Sequence, residues 1–364
     1  MRAEMERLSR RAKWIVLVVL ALGIIAVVVV AAEFAIRARQ TLSYGTAATV
    51  ERSYVLDERI NLRVPSSNLK SGRIETNSLG FRGPEIAVPK PAGTVRIAFL
   101  GASTTWCAEV SGNEKAWPHV VTENLRRAFP RTTFDYVNGG VPGYVAKSSL
   151  KNLQHRVVPL EPDVIVIYHA TNDMSVELRE LAAARGLLRD ARVDVPSWLA
   201  EHSLLWNLAE KNFRIWSAQQ QAKANFGRLE VEPGFLGERF RRDLTELIRY
   251  AQKSAKLVAV ATFSTQLRDS QGAEQQIRAS SSALYYMPFM TPSGLLASYG
   301  RYNRVIEEVA AATGAVLIGN EHAIPGDSDH FTDSVHFTDA GSLAMGMRIY
   351  EGLKPHLGRA LASH

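Results

Sequence analysis

From Thr94 onward, short apolar runs alternate with helix-length stretches, and no other feature constrains the fold as tightly. The apolar runs are 95–100, 133–137, 164–168, 257–262 and 315–318. Helical stretches lie near 117–129, 146–156, 238–255 and 296–313, with a last one near 339–357. Short buried strands separated by helices pair in parallel through right-handed crossovers. The expected core is a three-layer α/β/α domain on a parallel sheet of about five strands. Residues 175–235 have helical composition and no obvious strand. They are too many for a simple connection and read as a helical insertion or lid.

Residues 14–32 are uncharged and mainly aliphatic. At ~1.5 Å per residue such a helix is about 28 Å long, close to the hydrocarbon thickness of a bilayer. Arg2, Arg7, Arg10, Arg11 and Lys13 precede it, against Glu4 and Glu6. The positive-inside rule places residues 1–13 in the cytoplasm, 14–34 across the cytoplasmic (inner) membrane, and the rest in the periplasm or outside the cell. A cleaved signal peptide competes with this reading. The run exceeds the usual ~7–15-residue signal core, while Ala31, Ala32 and Ala35 keep a cleavage site available. A buried core helix is the third reading. Residues 35–92 carry turn signals and read as a stalk and short β-rich lead-in to a domain at 93–360. Within them, 76–83 reads as a compact turn packing on that domain.

Hydrophobic residues make up 46% and charged residues 22%, the balance of a folded protein rather than a disordered one. Net charge is +7, yet the basic residues are scattered or gathered at the N-terminus, so no nucleic-acid partner is expected. Cys107 is the only cysteine, which excludes an intrachain disulfide and a cysteine-based metal site.

Four stretches carry candidate chemistry. The first strand ends in Gly101-Ala102-Ser103, where a serine is either a nucleophile or a helix cap. After the second strand comes Asn138-Gly139-Gly140-Val141-Pro142-Gly143, whose glycines turn the backbone tightly and expose N–H groups. After the third comes His169-Ala170-Thr171-Asn172-Asp173, where Asn172 can donate to an oxyanion or cap a helix. Near the C-terminus, Asp333 precedes His336 by three residues, a spacing that lets the carboxylate hold one ring nitrogen while the other faces a serine. The segment containing His322, Asp327, Asp329, His330, Asp333, His336 and Asp339 offers metal-type donors, but its spacing matches no standard ligand motif. His169 and Cys107 read as packed residues. Tyr285 to Met290 reads as a buried loop or pocket wall, and Trp198, Trp206 and Trp216 as packing within the insertion, with contact to the membrane surface as the second reading.

Together the four stretches resemble the SGNH, or GDSL, hydrolases over roughly residues 93–358. The first block departs from Gly-Asp-Ser at Ala102, and the third has Ala170 in place of glycine. The second matches as Asn138-x-Gly140-x-x-Gly143, and the fourth is intact at Asp333 and His336. The resemblance implies a flavodoxin-like SGNH fold and ester hydrolysis with Ser103 as nucleophile, His336 as base and Asp333 as its orienter. It implies an oxyanion hole from the N–H groups of Ser103 and Gly140 and the amide of Asn172. No cofactor or metal is expected. The expected partners are an ester substrate, first an O-acetylated glycan of the envelope, and the membrane. A lipid esterase or thioesterase, an acyltransferase-like protein and a degenerate scaffold are the alternatives.

Overall fold

The computed structural model describes residues 2–44, 53–188, 197–224, 229 and 231–361. It opens with one long helix, α1 (Arg2–Tyr44). The part Ala12–Thr41 is long and apolar enough to cross a membrane, and none of its most apolar stretch is buried. That disposes of the core-helix reading and leaves a membrane anchor or a signal sequence. Two small antiparallel ladders follow, β1 (Tyr54–Asp57) with β2 (Leu62–Pro65), and β3 (Lys70–Ser71) with β4 (Ile74–Glu75). A turn at 76–82 is closed by a Thr76–Arg82 bridge and by Asn77 Oδ1, which accepts from the Leu79 and Phe81 N–H groups.

The main domain runs β5 (Thr94–Gly101), α2 (Ser103–Trp106), α3 (Trp117–Ala128), β6 (Thr133–Gly140), α4 (Ala146–Asn152) and β7 (Val164–Tyr168). Then come α5 (Thr171–Ala184), α6 (Trp198–His202), α7 (Leu204–Ala224), α8 (Glu238–Ser254) and β8 (Leu257–Ala261). It closes with α9 (Ala273–Ala279), α10 (Ser281–Tyr286), α11 (Pro292–Thr313), β9 (Val316–Ile318) and α12 (Asp339–Leu361). The sheet is parallel throughout, in the order β6-β5-β7-β8-β9. This is the flavodoxin-like order, whose switch point lies between β5 and β7, and ligands bind beyond the carboxyl ends of the strands there. Helices α3 and α12 pack together, while α8 packs against both α4 and α11. Every residue of β5 and β7 is buried, as expected of strands covered on both faces.

One buried charge follows from that cover. Arg96 on β5 is fully buried, and its guanidinium meets both oxygens of Asp135 on β6, at 2.8 and 2.7 Å. It also donates to the Ala87 and Leu160 carbonyls, tying the lead-in to the sheet edge. Such a charge is tolerable inside only because it is paired and its donors are used.

The expected strands are present. β6 runs on to Gly140 because Gly139 and Gly140 pair with Leu100 and Gly101. The helix expected at 146–156 ends at Asn152 and continues as a π-type turn over Leu153–Val157. Residues 281–286, expected partly as loop, form α10. Trp198, Trp206 and Trp216 are exposed rather than packed, because the sides of α6 and α7 that carry them have no neighbouring layer among the described residues.

Candidate active site

Ser103 opens α2, immediately past the end of β5. The turn needs glycine at its base. A Cβ on Gly101 would lie 2.0 Å from Thr105 Oγ1 and 2.7 Å from the Tyr168 carbonyl. With four residues, α2 has carbonyls that no later helical turn can satisfy. Side chains from elsewhere take them. Trp117 Nε1 donates to Thr104 O at 2.9 Å, Asn138 Nδ2 to Thr105 O at 3.0 Å, and Arg82 Nη1 to Trp106 O at 2.8 Å and to Cys107 O. Cys107 ends the helix in the left-handed region, and burial pushes its thiol up to about 12, so it is inert packing.

His336 reaches the same point from a loop 233 residues further on, with Nε2 2.8 Å from Ser103 Oγ. Its Nδ1 lies 3.0 and 2.9 Å from the two oxygens of Asp333. The Asp333 carboxylate also accepts from the Val335 and His336 N–H groups, each at 2.9 Å. Burial opposes its charge, but the His336 ring and these two N–H bonds outweigh burial and hold it at about 2. For His336, burial pushes the pKa down, yet Asp333 and the nearby Glu109 carboxylate more than compensate and raise it. Glu109 carried no sequence signal. Burial pushes its carboxyl above the usual range, with His336 pulling it back and Asp333 pushing it further up.

Asn172 sits in the first turn of α5, past the end of β7. One of its amide hydrogens goes to the Tyr144 carbonyl at 2.9 Å, leaving the other for a ligand. Gly140 differs from expectation. Its N–H donates to Asn138 Oδ1 at 3.0 Å, so the donor assigned to it is already engaged. The reason for glycine there is space, since a Cβ would lie 2.6 Å from Trp106 N and 2.8 Å from Thr105. In the loop that follows, Val141 N–H goes to Gly101 O, Tyr144 N–H to Val141 O, and Pro142 has none. Gly143 remains, with φ +82, open space beside it and no N–H partner among the described residues.

His169 is buried with Nε2 2.8 Å from Ser149 Oγ, and burial pushes its pKa down to about 3, too low for a base near neutrality. The His/Asp-rich segment disperses. Asp327 pairs with His330 at 2.7 Å, Asp339 caps Ser111, and His322 is exposed. Among the described residues no group of three or more such side chains is arranged to hold a metal ion.

The model of a family described as GDSL-like Lipase/Acylhydrolase matches residues 99–344. Similar solved structures include a lipase/acylhydrolase from Enterococcus faecalis, with 16% identity over 72% of this chain and 96% of that one, and a TM-score of 0.43. An acetylxylan esterase from Geobacillus stearothermophilus shows 13% identity over 71% and 94%, with a TM-score of 0.43. An alpha/beta hydrolase from the metagenome of Lake Arreo, Spain, shows 14% identity over 74% and 95%, with a TM-score of 0.42. No curated protein matches the chain.

Proposed function

The chain belongs to the GDSL-like lipase/acylhydrolase family, and on that footing we propose that it removes acyl groups, O-acetyl foremost, from an envelope or exported carbohydrate. It is an ester-hydrolysing serine hydrolase. The observation that carries the assignment of roles is the 2.8 Å approach of His336 Nε2 to Ser103 Oγ with Asp333 on the far nitrogen. Ser103 Oγ attacks the ester carbonyl as its proton passes to His336 Nε2. Asp333 keeps the Nδ1 proton in place and stabilises the imidazolium. The oxyanion is met by the Ser103 N–H and by the amide hydrogen of Asn172 that Tyr144 does not take. One such donor contributes about 10²–10³ in rate. His336 then protonates the leaving alcohol, and a water molecule repeats the sequence on the acyl-enzyme. No step calls for a cofactor.

The outward orientation read for the domain supports an envelope or exported substrate, and the family, in which removal of small acyl groups from carbohydrate is one common activity, supports a glycan. In that reading α1 is an uncleaved single-pass anchor, residues 1–13 are cytoplasmic, residues 35–92 form stalk and lead-in, and residues 93–360 act outside. A reporter fused after His364 is then active only in forms that work outside the cytoplasm. The reaction is tested with a fluorophosphonate probe and a panel of acetyl, butyryl and long-chain esters. The probe labels wild-type protein and not Ser103→Ala, and acetyl esters turn over fastest. Folded protein that takes no probe and cleaves no ester removes the proposal, and preference for long chains moves it to a lipid ester.

A further inference from the structure

The α6–α7 hairpin turns apolar side chains outward, with Trp198 68% exposed, Leu199 47% and Trp206 48%. On α7 the series continues with Phe213 and Trp216, whose spacings of seven and ten from Trp206 place all three on one helical face. Lys211 falls on the opposite face, and its charge reaches His336, where it opposes protonation. α7 also packs on α10, whose Ser282 Oγ and Ala283 N–H hold Ser334 in the triad loop. One side of α7 thus faces the site, and the other is bare among the described residues.

The hairpin is pinned to α1 at one point. Glu33 is the first residue past the apolar run 14–32. Its carboxylate accepts from Ser203 Oγ at 2.9 Å, Leu204 N–H at 3.0 Å and Leu205 N–H at 2.9 Å, so it caps α7. Arg37 donates to Glu33 at 2.7 Å and to the His202 carbonyl at 3.1 Å. A helix whose apolar run fills the hydrocarbon leaves Glu33 at its boundary. Trp206 follows Leu205 by one helical rise of ~1.5 Å. The Trp198 ring stacks on His202, with ring centroids 4.6 Å apart, and His202 is the residue held by Arg37. Both indoles therefore lie at the level where Trp is enriched in membrane proteins, the Trp206 N–H donating to Ser197 Oγ at 3.2 Å.

We infer that the α6–α7 hairpin docks on the outer surface of the bilayer that α1 spans, with Trp198 and Trp206 as its interfacial anchors. The inference rests on the anchor reading of α1, and the test separates the two. Full-length protein is placed in phosphatidylcholine vesicles with an environment-sensitive fluorophore at Trp198→Cys, Trp206→Cys or Ile24→Cys. Cys107 is buried and does not compete for label. Lipids spin-labelled near the headgroup quench the probes at 198 and 206 about twofold or more, and lipids labelled at the chain end quench the probe at 24. A probe at 24 that no lipid quenches overturns the anchor reading. A quenched probe at 24, with those at 198 and 206 quenched only by aqueous iodide, overturns the docking alone. Hairpin probes shielded from lipid and iodide alike mean that protein covers the hairpin, which also overturns it.

Discussion

The two loops that meet in the site are held by opposite means. The Ser103 turn is fixed from outside, its four consecutive carbonyls from Thr104 to Cys107 taken by Trp117, Asn138 and Arg82. The Asp333–His336 loop is fixed from within except at Ser334, which Ser282, Ala283 and Gln266 hold from outside. Phe331 bridges Phe337, Thr332 N–H donates to His336 O at 2.8 Å, and Asp333 accepts from the Val335 and His336 N–H groups. The position of the nucleophile is therefore a property of the whole fold, whereas the acid–base pair is largely a property of seven residues. Damage to the two loops should look different.

The largest effect removes the chemistry that both loops serve. Ser103→Ala and His336→Ala should each lower kcat by about 10⁴-fold or more, and the double variant should be little worse, because the pair acts as one unit. Asp333→Ala should leave about 10-fold or more activity above either, since orientation is lost only in part. Additive losses in the double variant would separate Ser103 from His336 and dissolve the comparison.

Asn172 belongs to neither loop and comes next. Asn172→Ala should lower kcat by about 10²–10³ with little change in the unfolding midpoint, the loss of one oxyanion donor. Turnover equal to wild type would leave Asn172 as no more than a support for the Tyr144 carbonyl.

The same contrast decides what the sequence could reveal. The five strands were legible because a buried parallel strand is a continuous apolar run, and Asp333 with His336 because their geometry is set within three residues. Gly140 misled because Asn138, two residues before it, competes for its N–H, and spacing does not report which way an N–H points. Arg82 and Glu109 were invisible because, Arg73 apart, their partners lie 24 to 227 residues away, where no periodicity reaches. The aromatic residues of α6 and α7 show the apolar spacing of a packed helix, and spacing alone does not say whether a neighbour exists on that side.

Arg82 tests the externally held loop without touching a reacting atom. It is 1% exposed and donates to Asn113 Oδ1 and to the carbonyls of Arg73, Trp106, Cys107 and Gly112. Arg82→Met keeps the stem and strands those acceptors in a buried site. The expected cost is about 3 kcal/mol by denaturant titration, together with a kcat loss of about tenfold as Ser103 drifts. Stability lost with kcat unchanged would show that α2 holds its place without the lead-in, and the nucleophile would no longer depend on the distant chain.

Glu109 carries the smallest effect, a displacement along the pH axis rather than a loss. Catalysis needs neutral His336, so kcat/KM should fall as pH drops through the His336 pKa, which lies above the ordinary 6.5. Burial works against that elevation, and the Asp333 and Glu109 carboxylates produce it. Glu109→Gln keeps the shape of the side chain and removes one of the two negative charges. The imidazolium then loses stabilisation, the pKa falls, and the acid limb of kcat/KM moves to lower pH while the alkaline plateau stays where it was. Because burial also raises the Glu109 carboxyl itself, the effect should fade at the acid end, where that group is protonated in the wild type and the two profiles converge. A limb that stays fixed, or moves to higher pH, would mean that the Glu109 charge does not act on the imidazole. Asp333 alone would then set its basicity, and the acid–base loop would be self-contained in its electrostatics as well as in its backbone.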